Sequence, residues 1–72
     1  MPLNLNQLPN AARCALEVFA NSGERTKSRL TALLDHYLNV TGLASDPDRR
    51  LYEESLVQIA KQRYALGASE GF

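Results

Sequence analysis

The chain has 72 residues, 44% hydrophobic and 22% charged, with eight Lys or Arg balanced by eight Asp or Glu. It is too short for two domains, too apolar for a disordered tail, and lacks the basic excess of a nucleic-acid-binding arm. A domain of this size buries only about 60% of the surface of its unfolded chain, so self-association is an expected remedy for a thin core.

Residues 1–9 carry no charge and alternate Leu3-Asn4-Leu5-Asn6. A period of two predicts a short strand with one apolar and one polar face, bounded by Pro2 and Pro9 and placed at an edge where it can pair. Composition argues against it, because Asn is depleted in strands and Leu is a modest strand former, so the strand reading rests on the alternation alone.

Residues 10–21 predict a first helix, with Asn10 as N-cap and Gly23 available for a left-handed stop. Its apolar face is Ala11, Ala12, Cys14, Ala15, Val18 and Phe19, which makes Cys14 a small core side chain. Arg13 and Glu17 are four apart on the opposite side, where they can pair weakly.

A second helix is predicted over 24–41, beginning inside Glu24–Ser28 and ending at Gly42. Leu30, Leu33, Leu34, Tyr37, Leu38 and Thr41 give it the strongest helical periodicity in the chain. Arg25, Lys27 and Arg29 crowd its start, where cations oppose the helix dipole and an anion would relieve them.

Residues 43–47 form a linker to a third helix over 48–66, with Ser45 and Asp48 spaced as a capping box and Gly67 as the stop. Leu51, Tyr52, Leu56, Ile59 and Leu66 form a core-facing arc. Glu53, Val57, Ala60 and Tyr64 form a second row, which is either a contact for another chain or a pair of isolated apolar groups at the surface. Residues 68–72 read as a frayed tail.

Charge is nearly even along the chain, +1 over residues 1–41 (four basic, three acidic) and −1 over 42–72 (four basic, five acidic). Electrostatic steering is accordingly weak. One cysteine excludes an internal disulfide and, with no signal-peptide pattern, points to a reducing, cytoplasmic setting. Cys14 and His36 fall short of a zinc ligand set and of a catalytic constellation, so neither metal, cofactor nor enzymatic activity is expected. No apolar run approaches the roughly 18 residues needed to span a bilayer.

Several residues carry a family resemblance. Leu8-Pro9 falls at the strand-to-helix junction, Ala20 and Gly23 close the first helix, and Leu30 follows seven residues after Gly23. Leu33-Leu34-Asp35-His36-Tyr37-Leu38 then supplies an apolar-apolar-x-x-Tyr-Leu ending. In this order residues 1–40 resemble the ribbon-helix-helix repressors of the Arc and CopG type. The resemblance implies a mainly α fold: a short N-terminal strand followed by three helices, built as an intertwined homodimer with an extra C-terminal helix. Residues 1–42 would be the dimerisation and DNA-binding unit, and 43–72 a linker and helix for oligomerisation or for a second protein.

The function so implied is a small dimeric DNA-binding transcriptional regulator of repressor or antitoxin type. Asn4 and Asn6 would read bases, Asn being suited to adenine. Arg25, Thr26, Lys27, Ser28 and Arg29 would hold phosphate at a helix N-terminus. Leu3, Leu5 and Leu8 would seal the dimer, with Val57 and Tyr64 as further dimer or partner contacts. The chain departs from the family in having no Arg or Lys on the strand and in placing Arg25 where Ser or Thr is usual. Anchoring the strand on Pro9 instead of Gly23 turns Asn4 and Asn6 inward, so its phase stays open. The alternative function is a small helical interaction module that binds and inhibits or tethers a partner protein without DNA.

Overall fold

A computed structural model of the chain describes residues 2–72. Three helices follow in order: α1 (Asn10–Ala20), α2 (Lys27–Val40) and α3 (Arg49–Arg63), with short 3₁₀ turns at Leu5–Gln7 and Ala68–Glu70. Among the described residues there is no strand, and the molecule is all-α. This corrects the strand-led ribbon-helix-helix architecture.

The reason lies in the first nine residues. Gln7 accepts the Asn4 backbone N–H through its side chain at 2.8 Å, and the Gln7 N–H donates to the Asn4 carbonyl at 2.9 Å. These local bonds close a turn where a strand would need extended backbone. The segment then folds onto its own helices, as the Leu3 N–H donates to the Ser55 hydroxyl on α3 at 2.8 Å. The alternation survives as an in–out pattern without a sheet: Leu3 and Leu5 are half-buried against the core, and Asn4 and Asn6 are exposed.

α1 starts on Pro9 as N-cap, one residue earlier than expected, and Asn10 is its first helical residue. It buries Ala11, Ala12, Ala15, Leu16 and Phe19. Small side chains at three of these positions let neighbouring helices approach closely. Cys14 and Val18 are exposed, which corrects their placement in the core. The buried stripe runs 11-12-15-16-19, and its centre is turned away from Cys14 and toward Leu16.

α2 is capped by Thr26, whose hydroxyl oxygen accepts the Arg29 N–H at 3.2 Å. It buries Leu30, Leu33, Leu34 and Leu38. Its end is a Schellman motif: Gly42 is left-handed (φ 78°) and the Leu43 N–H donates to the Leu38 carbonyl at 2.8 Å. Gly23, between α1 and α2, is not left-handed; the turn there is closed by Ser22 N–H to Phe19 O at 3.1 Å.

Asp46, not Ser45, organises the entry to α3. Its carboxylate accepts the Asp48 N–H at 2.8 Å and the Tyr52 hydroxyl at 3.4 Å, and its carbonyl accepts the Arg49 N–H at 3.1 Å. Partial burial, then the charges of Asp46 and Asp48, hold the Tyr52 phenol above its ordinary pKa. Arg49 ties this corner to α2 by an ion pair with Asp35.

α3 buries Ser55, Leu56 and Ala60. Ala60 belongs to the row expected to be bare, so that row faces the core in part. α3 ends in a second Schellman motif, with the Leu66 N–H donating to the Lys61 carbonyl at 3.0 Å. Here the left-handed position is Ala65 (φ 52°), and Gly67 is not the stop.

The tail is ordered rather than frayed. Glu70 accepts the Gly67 N–H at 2.7 Å, Phe72 N–H reaches the Gly67 carbonyl at 3.0 Å, and Phe72 packs on the core. Left-handed Gly71 lies over the start of α2, where an added Cβ would stand 3.5 Å from Lys27 Cβ.

Phe19, Leu30, Leu38 and Leu56 are fully buried, each contributing about 1.5–3 kcal/mol. The radius of gyration is 11.2 Å, about that of a closed 72-residue globule. α3 supplies the third wall that one strand and two helices would lack, so a single copy encloses the core.

Candidate functional site

The C-terminal ends of α1 and α3 converge on a crevice of about 340 Å³. Its apolar floor is Leu5 from the N-terminal turn, Leu16 and Ala20 from α1, and the ring of Tyr64 from the end of α3. Arg13 and Glu17 stand on the α1 rim and Arg63 on the α3 rim.

Tyr64 is a fixed wall. Its ring centroid lies 6.1 Å from that of Phe19 at a 53° tilt, and the Arg25 guanidinium carbon lies 4.7 Å from the same centroid. Arg25 also donates to the Ala20 carbonyl at 3.1 Å, satisfying an orphan carbonyl at the end of α1. One side chain thus joins the α1–α2 loop to the end of α3.

The rim is positive. The lining sets Arg13 and Arg63 against one carboxylate, Glu17, and Arg25 adds a third guanidinium on the Tyr64 ring. Two helix C-termini oppose them with roughly half a negative charge each. About one net positive charge remains, and neither Arg13 nor Arg63 forms an ion pair among the described residues. Arg13 is held by Asn10, to which it donates at 2.8 Å.

The structure brings Leu5 and Tyr64 together in this crevice and separates Tyr64 from Val57. Val57 lines a groove of about 410 Å³ with Lys27, Arg50, Glu53 and Glu54. Two cations and two carboxylates balance there around one apolar residue, so that groove has little selectivity for a charged partner. Leu8 is buried in the protein's own core, and Leu3 is half-buried beside it.

The residues expected to cradle phosphate are dispersed in role. Thr26 caps α2 and donates to the Glu24 carboxylate at 2.8 Å, so an internal anion already stands at that helix start. Arg25 is engaged with Tyr64 and Ala20, while Lys27, Ser28 and Arg29 are exposed. Asn4 and Asn6 are exposed on the 3₁₀ turn and its entry, on no groove-sized ribbon.

Arg13, Leu16, Glu17, Ala20 and Arg63 were not singled out as site residues from the sequence. Arg13 and Glu17 carried a signal as an i, i+4 pair, but a solvated pair and a crevice rim look the same at that level. Among the described residues no cluster of His, Cys, Asp or Glu could hold a metal, and no helix is long and apolar enough to cross a membrane.

Fold and crevice together define a small all-α, three-helix domain. Compared with family models, curated proteins and solved structures, the chain matches none.

Proposed function

We propose that this chain is a small helical interaction module that binds another protein through the crevice between the ends of α1 and α3. The observation that carries it is the apolar floor of Leu5, Leu16, Ala20 and Tyr64 set between the guanidiniums of Arg13 and Arg63, neither of which forms an ion pair among the described residues. Aromatic and Arg side chains around a small apolar depression are the usual anchors of protein recognition. The fixed Tyr64 wall lowers the ordering cost on binding. The exposed, unpaired Cys14 thiol supports a reducing, cytoplasmic setting.

The test is a photo-cross-linking residue in place of Glu17, in the native host, with the same residue at exposed Ser28 as control. A cross-link to another polypeptide at Glu17 and not at Ser28 is expected. Cross-links to nucleic acid alone, or only to other copies of this chain, would overturn the reading and favour the DNA-binding regulator or the homodimer.

A further inference from the structure

The interaction reading leaves open what kind of segment the crevice takes, and the chemistry of its rim narrows the choice. We infer that the occupant is a short acidic–apolar segment of a partner protein: one aliphatic or aromatic side chain seated on Leu16, Ala20 and Tyr64, flanked by carboxylates that reach Arg13 and Arg63. The inference rests on the proposed function and adds the chemical class of the partner.

Three observations support it. First, the floor of Leu5, Leu16, Ala20 and Tyr64 is apolar and open to solvent, so it can receive an apolar side chain of a partner. Second, the guanidiniums on the two rims lack ion-pair partners among the described residues, and a planar fork of N–H donors matches a carboxylate in two parallel bonds. Third, Arg25 already lies on the Tyr64 ring and donates to the Ala20 carbonyl, so its charge is held beside the site. An incoming cation would meet the guanidiniums of Arg13 and Arg63 on the rims, with that of Arg25 on the Tyr64 ring, against the single carboxylate of Glu17. Like-charge juxtaposition at an interface is a strong filter against the wrong partner. The balanced groove at Val57 has no such filter, and the exposed Val18 and Val40 are single apolar groups.

The experiment is selection of a random displayed peptide library on the immobilised full chain, followed by titration of the selected peptides into ¹⁵N-labelled protein. Selected peptides should pair Asp or Glu with Leu, Ile or Phe. They should shift the amide signals of Leu16, Ala20 and Tyr64, and lose about ten-fold or more in affinity on Arg63→Glu. Arg63 is exposed, and thermal melting would verify that the variant folds; Arg13→Glu provides a second reversal on the other rim, and Arg63→Lys should retain most of the binding. Peptides that seat in the crevice but carry basic or neutral flanks, or bind Arg63→Glu and Arg13→Glu as well as the parent, would overturn this inference and leave the interaction module standing. If no selected peptide shifts the crevice amides, both fall.

Discussion

The backbone N–H of Leu3 donates to the hydroxyl of Ser55 at 2.8 Å, across 52 positions of sequence. Ser55 is fully buried on α3, so this bond pins the N-terminal segment to the protein's own third helix. A segment held in this way is not free to zip against a second copy. Replacing Ser55 by Ala should leave the Leu3 N–H without its partner and cost about 1–3 kcal/mol. Urea unfolding would measure the loss, and faster exchange of the Leu3 amide would locate it. Sedimentation in dilute solution should give the mass of one chain; a dimer at low micromolar concentration that the paired Leu3→Ser and Leu5→Ser substitutions abolish would show that the segment is held otherwise.

Ala65 occupies a left-handed position in the Schellman motif that ends α3, the role Gly42 fills at the end of α2. A Cβ in that conformation costs about 1–2 kcal/mol. Ala65→Gly should therefore raise stability, by about 1 kcal/mol once the added freedom of the unfolded glycine is counted. Gly42→Ala should lower stability by a similar amount, although an added Cβ there meets no atom within 4 Å. The two variants compared by chemical denaturation isolate backbone conformation from packing.

Arg25 is an architectural residue. It stacks on Tyr64 and holds the Ala20 carbonyl. Arg25→Ala should destabilise the domain by about 1 kcal/mol, from an exposed cation–π contact and one helix-end hydrogen bond. Arg25→Lys should recover part of this, because an ammonium keeps the charge but not the planar stack. Thermal melts of the three proteins provide the comparison.

Glu70 gives the tail a pH dependence. Hydrogen bonds from the Ser69 hydroxyl and then the Gly67 N–H hold its carboxyl below the ordinary glutamate range. A carboxyl with a lowered folded-state pKa stabilises above its unfolded value, and that contribution is lost as pH falls through the folded one. Glu70→Ala should thus be less stable than the parent at neutral pH, with the gap narrowing below about pH 4. Melting curves across that range, with the Phe72 amide followed by NMR, would reveal the release of the tail.

Much of the helical layout is legible in the sequence, because helix signals are local. The Leu30–Leu38 periodicity and the Gly42 stop define α2 within the chain's own numbering. The candidate site is less legible. Leu5 and Tyr64 stood out as apolar groups in need of a contact, but Arg13 and Arg63 lie 50 positions apart and look like ordinary surface cations. Cys14 shows the same limit: its helical spacing fits a core face, and only the side from which α2 and α3 pack decides that Leu16 is buried instead.

By itself, then, the sequence determined that three amphipathic helices form and roughly where each begins and ends, since periodicity, caps and turn residues act within a few positions. The tertiary structure decided the rest: that Leu3 bonds to Ser55 instead of a twin, that Phe72 docks on the core, and that Tyr64 becomes the wall of a basic-rimmed crevice. Those outcomes depend on pairs of residues far apart in the chain. Such contacts form only once the helices have packed, and no local pattern encodes which of several amphipathic faces will meet.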